Sequence, residues 1–256
     1  MGRITPYSLI KLMSPFIVLL AWEYTVRSGA VNALFLPPPS VIFLTAIEAF
    51  KSEGLIHNLM ISGIRLPLGF CLGVGSALLC AMGMALSNRV RWFLSPFITI
   101  IYPIPKVALY PLLIIWLGAS EMSKVLLVAT GSFFPVVINT TNALREVSPV
   151  LIRAARNLGA NKRQIFIRVA LPSALPAVYA GTLIGAGLSL IMLVYAEMTA
   201  SQAGIGYYTY ISASLFKTEN AFAGVVIISI IGFIWYRIIL WTEKRHCPWQ
   251  REVRGQ

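Results

Sequence analysis

Uncharged apolar stretches recur along this chain at lengths that suit a bilayer better than a soluble core. Crossing a hydrocarbon layer ~30 Å thick takes about 20 apolar residues at ~1.5 Å each. Leu66 to Leu86 and Val125 to Leu144 carry no charge, and Val169 to Ala196 stays uncharged for longer than one crossing requires. Trp92 to Leu117 is interrupted only by Lys106. Asn220 to Tyr236 continues through Arg237 into Ile238–Trp241, and Leu12 to Val26 contains Pro15 and Glu23. The pattern predicts about six transmembrane helices, at approximately 10–26, 60–86, 92–117, 124–144, 174–196 and 220–241, in one all-α integral-membrane domain over residues 1–256. Leu36–Ser40, with three consecutive prolines, predicts an extended passage followed by a short interfacial helix from Val41 to Phe50. The uncharged stretch from Met198 to Phe216 carries Tyr207, Tyr208 and Tyr210, residues suited to a membrane boundary. Gly69 and Gly73, and Gly181 and Gly185, have the four-residue spacing that lets helices approach closely.

Composition sharpens this reading. The chain is 57% hydrophobic and 12% charged, with a mean hydropathy of +0.77, outside the soluble globular range. Its net charge of +12 invites a nucleic-acid reading, yet the cations fall between apolar spans and mark membrane topology instead. With the N-terminus inside, the cytoplasmic segments hold Arg3, Lys11, Arg89, Arg91, Arg145, Arg153, Arg156, Lys162, Arg163, Arg168, Lys244, Arg245, Arg251 and Arg254. The other side holds only Arg27, Lys51, Lys124 and Lys217, so both termini are expected in the cytoplasm. The basic, apolar start lacks a small-residue cleavage site and reads as an uncleaved first span. All nine acids are Glu, which removes several metal and phosphate-transfer templates, and Cys71, Cys80 and Cys247 suggest no disulfide framework. No catalytic or metal-ligating cluster is evident, and no cofactor is expected on the chain itself.

The most informative polar segment is the loop at 145–173. Ser148 and Pro149 suit the start of a short helix, Gly159 its left-handed end, and Asn161 with Gln164 the boxed start of a second helix that Leu171–Pro172 would close. Val150, Leu151, Ala154, Ala155 and Leu158 share one face of the first helix; Arg153, Arg156 and Asn157 take the other. Such a helix is shaped to enter a protein groove.

Arg153-Ala154-Ala155, followed by Gly159, Val169, Leu171 and Pro172, resembles the cytoplasmic EAA signature of permeases from binding-protein-dependent ABC importers, in which a Glu stands where this chain has Arg153 and an Ile where it has Val169. Leu36–Ser40, Ile104–Gly118 and the pair Ala196–Glu197 narrow the resemblance to the nitrate, sulfonate and taurine group. The resemblance implies that Arg153, Ala154, Ala155, Arg156, Leu158, Gly159, Ala160, Leu171 and Pro172 couple the permease to ABC ATPase subunits, which use ATP and Mg. It also implies a second permease subunit, expected as a homodimer, an extracytoplasmic substrate-binding protein, and residence in a prokaryotic inner membrane. The sequence has no G-x-x-x-x-G-K-[ST], so hydrolysis is expected in a separate chain and this one is not an enzyme.

Three charged residues in or beside spans are candidates for a translocation pathway: Lys106, Glu197 and Arg65. Arg65 instead snorkels to a span end in the alternative reading, and Glu197 instead bonds a neighbouring helix end or pairs with Lys106. A secondary transporter or channel is the competing class, but no duplicated half or matched pair of broken helices is visible.

Overall fold

The computed structural model describes residues 6–51 and 53–249, and its regular structure among them is helical throughout. Arg3, Arg251 and Arg254, used in the topology count, lie outside the described residues. Among the described residues four helices are long and apolar enough to cross a membrane, and a bent pair makes a fifth crossing if taken as one span. The chain divides into two compact units.

The first unit contains Gln202–Ser229 together with the residues up to Met60. Its α1 runs Pro6–Arg27 and its α2 Pro39–Ala49, so the short helix begins slightly ahead of the expected Val41. Pro38 is extended and Pro39 occupies the start of α2, where a missing N–H costs nothing. The Glu23 carboxylate near the end of α1 accepts from the Ser40 amide (3.0 Å) and hydroxyl (2.7 Å), joining the two helices across the proline passage.

The second unit holds Ile61–Ser201 and the chain from Ile230 onward. It includes most of α3 (Glu53–Leu86), then α4 (Asn88–Ile101), α5 (Tyr110–Leu117), α6 (Glu121–Arg145), α7 (Pro149–Asn157), α8 (Lys162–Ile165), α9 (Leu171–Ala200) and the later part of a final helix, Thr218–His246. Its organising element is α6. Both G-x-x-x-G pairs meet it: a Cβ on Gly69 would lie 2.8 Å from the Val125 carbonyl, one on Gly181 2.8 Å from the Pro135 carbonyl, and one on Gly185 2.9 Å from Ser132 Cα. Gly131 of α6 returns the contact, 2.8 Å from the Ser189 nitrogen. In a bilayer, where lipid is as apolar as leucine, helices hold through such backbone approach and through hydrogen bonds between them. Bonds of that kind onto α6 and from it include the Ser132 hydroxyl donating to the Phe70 carbonyl (3.3 Å) and Ser189 donating to the Val128 carbonyl (3.1 Å).

Two expectations change. The segment 92–117 is not one straight helix; α4 and α5 meet at 96° through a break that ends in a one-turn 3-10 helix, Lys106–Leu109. Pro103 and Pro105 lie in the break, and each lacks the N–H that would continue the ladder. The second loop helix does not close at Leu171–Pro172. It passes through a π-turn, Phe166–Ala170, in which the Leu171 amide donates to the Phe166 carbonyl five residues back, and runs on as α9. The wider turn accommodates the missing N–H of Pro172, so the proline sits within a helix start rather than after a helix end.

Candidate functional site

At the far end of α6 from Glu121, α7 and α8 form a helical elbow. Pro149 occupies the first position of α7, as expected, whereas the Ser148 side chain makes no capping bond. Gly159 takes φ +80° just past Leu158, a conformation glycine adopts without a Cβ penalty. The Ala160 amide donates to the Ala155 carbonyl and the Gly159 amide to the Arg156 carbonyl, the doubled closure of a left-handed helix end. Asn161 and Gln164 then exchange side-chain-to-amide bonds of 2.8 and 2.9 Å, the complete capping box expected from their spacing. The angle between α7 and α8 is thus set by the backbone and two caps.

This elbow displays apolar surface. Leu158 is 88% exposed, Val150 62% and Leu151 48%, with Ala154 exposed beside them, while Ala155 and Ala160 are half-buried. Arg153 and Arg156 are exposed on the flanks. Leu171 and Pro172 are half-buried at the start of α9 and hold the end of the motif to the bundle.

At the Glu121 end, charges gather. Arg65 donates from Nε and Nη2 to the two carboxylate oxygens of Glu121 (2.5 and 2.6 Å) and from Nη1 to Glu197 (3.0 Å) and the Ser201 hydroxyl (3.2 Å). Ser62 also donates to Glu197, at 2.8 Å. Lys124 reaches Glu121 (3.2 Å) and the carbonyls of Ala119 and Ser120. Arg65 is 4% exposed and Glu197 fully buried, which satisfies the requirement that charges at membrane depth be paired. The pairing of Glu197 with Lys106 considered from sequence does not occur: the α9 carboxylate meets the guanidinium on α3 instead. Arg65 does not snorkel; it turns inward. Lys106 sits in the α4–α5 break, where its ammonium donates to the Ile101 and Tyr102 carbonyls and lies 4.5 Å from the Phe134 ring centroid. It caps the C-terminus of α4, a favourable place for a cation. Sequence reasoning missed Glu121 altogether, because its partner Arg65 lies 56 positions away.

Long apolar helices packed through small residues, ions paired at one end of the bundle and an amphipathic elbow at the other define a polytopic membrane protein. The chain belongs to the family of binding-protein-dependent transport system inner membrane components, whose model matches residues 69–246. It is an ABC-importer permease. A Bacillus subtilis chain named as the aliphatic sulfonates transport permease protein SsuC is 34% identical, over 95% of this chain and 88% of its own. The taurine transport system permease protein TauC of Escherichia coli is 32% identical, over 93% and 88%. In fold, the chain resembles a subunit in the crystal structure of a bacterial ABC transporter involved in the import of the acidic polysaccharide alginate, with a TM-score of 0.59 at 18% identity, covering 93% of this chain and 94% of the other.

Proposed function

We propose that the chain forms the membrane path of an ATP-driven importer for a small organic anion of the sulfonate or taurine type, and that the α7–α8 elbow is its docking piece for a separate ATPase. The observation that carries this reading is the outward apolar face of α7, rigidly closed at Gly159 and framed by arginines. An apolar, small-residue helix face of this kind fits a groove in a soluble partner. The ATPase supplies ATP and Mg chemistry; this chain transmits the resulting motion from the elbow through the π-turn into α9. A second copy of the permease completes the path, and an extracytoplasmic binding protein delivers the solute. The elbow and the π-turn after it carry five of the cytoplasmic cations of the topology count, Arg153, Arg156, Lys162, Arg163 and Arg168, so the elbow faces the cytoplasm of a prokaryotic inner membrane with both termini. The names of SsuC and TauC support the solute class.

Lys106 adds positive potential to the path. Within the ion cluster the buried Arg65 and Glu197 neutralise one another and the buried Lys124 pairs with Glu121, while Lys106, half-buried and held by carbonyls and rings beside the break, has no carboxylate within ion-pair distance among the described residues.

The test is reconstitution in proteoliposomes with the ATPase and binding protein. ATP-dependent uptake of radiolabelled taurine or methanesulfonate is expected, and Lys106→Met is expected to slow it several-fold without loss of ATPase binding. Uptake that persists without ATP would instead favour a secondary transporter.

A further inference from the structure

Between α4 and α6 lies a groove of about 300 Å³, at the lower end of the size range for small-molecule sites. The α4 wall presents Arg91, Ser95 and Thr99, and the α6 wall Thr141, Asn142 and Arg145. The spacings are those of one stripe on each helix. No residue of α4 is buried, and its remaining surface carries Trp92, Phe93, Phe97 and Ile100, all more than half exposed, as a lipid-facing side would. A polar stripe opposite such a face needs water or a ligand to satisfy it.

Two observations specify what the groove would hold. Among the described residues neither Arg91 nor Arg145 has a carboxylate within ion-pair distance, so the groove concentrates two uncompensated guanidinium groups. The Thr141 hydroxyl, which lines the groove, is buried and has no hydrogen-bond partner among the described residues, and the same holds for that of Thr140 beside it, whereas Thr99, Thr130, Thr182 and Thr199 all donate back to their own helices. Guanidinium forks recognise oxyanions with paired charge-assisted bonds, and a hydroxyl with the Asn142 amide adds neutral donors. Met84, Ile98 and Val137 line the rest and suit a short carbon chain.

We propose that this groove binds the oxyanion head, sulfonate or phosphate, of a small organic anion. The site deepens the import reading and rests on it only for the claim that the anion is cargo. An anionic phospholipid offers the same head-group chemistry, since basic pockets between membrane helices also take lipid heads.

The experiment uses the full chain purified with its native partners in nanodiscs. In phosphatidylcholine discs, binding of ³⁵S-methanesulfonate is measured for wild type, Arg91→Gln/Arg145→Gln, Arg91→Lys/Arg145→Lys and Thr141→Val. In mixed phosphatidylcholine–phosphatidylglycerol discs, retained phosphatidylglycerol is counted by native mass spectrometry for the same variants. Loss of methanesulfonate affinity by tenfold or more in the Gln pair, with a smaller loss for Thr141→Val and partial retention in the Lys pair, supports a solute site. Loss confined to retained phosphatidylglycerol supports the same oxyanion site filled by lipid. If wild type binds neither probe, or the Gln pair with an unchanged melting temperature binds both as wild type does, the proposal falls. Methanesulfonate binding at the groove in a complex that imports no sulfonate would overturn the import reading and leave the site standing; import with unaltered binding in the Gln pair does the reverse.

Discussion

Arg65 divides its guanidinium between two carboxylates of different exposure, and that difference sets what each is worth. Glu121 has a side chain 66% exposed, so its pair is screened by water and worth about 0–1 kcal/mol. Glu197 is buried, and removing its partner strands a charge, a loss of about 3–5 kcal/mol in buried pairs generally. Arg65→Met is therefore expected to lower the melting temperature of the purified protein far more than Glu121→Gln. Adding Glu197→Gln to Arg65→Met should restore part of the loss, a coupling that a double-mutant cycle measures directly. Equal melting temperatures for Arg65→Met and Glu121→Gln would show that Glu197 does not depend on the arginine. None of this geometry was legible in the sequence: Arg65 and Glu197 lie 132 positions apart, and nothing local to either residue names the other.

At the scale of elements, local chemistry was legible where the chain itself closes the interaction. The left-handed turn at Gly159 and the Asn161–Gln164 box depend on neighbours within a few positions and occur as read. The glycine pairs were legible as close contacts, though not that both face α6. The break in the third span was written in Pro103 and Pro105, but hydropathy alone passes over two prolines set among apolar residues on either side of Ile104. The π-turn was hidden because Leu171–Pro172 reads equally as an end and as a beginning. Glycine contacts also discriminate between neighbouring substitutions. Gly187 has nothing within 4 Å of an added Cβ, while Gly185 meets Ser132 Cα at 2.9 Å. Gly187→Ala should leave stability unchanged or raise it by up to about 1 kcal/mol, and Gly185→Ala should lower it by about 1–3 kcal/mol through overpacking. Thermal unfolding in detergent gives the order of the two. At the elbow, Gly159→Ala forces a side chain into the left-handed region and should cost about 1 kcal/mol, with weaker ATPase association at elevated temperature as the readout.

Across the whole molecule, the charges flanking the spans decide which side of the membrane the elbow occupies. The topology predicts that the elbow lies in the cytoplasm. Cys247 is a poor reporter of side because it is 2% exposed, whereas position 158 is open. In a background with Cys71, Cys80 and Cys247 replaced by serine, Leu158→Cys should resist a membrane-impermeant maleimide in intact cells and react once they are permeabilised. Docking is tested most directly at the same residue. Leu158 is 88% exposed and its side chain can be replaced without disturbing the bundle, so Leu158→Glu puts a charge on the apolar face while leaving the fold in place. Measured in proteoliposomes containing equal amounts of permease, ATPase and binding protein, Leu158→Glu should reduce both ATPase co-purification and ATP-driven anion uptake by at least tenfold with an unaltered melting temperature; wild-type co-purification and uptake in that variant would contradict the docking role of α7.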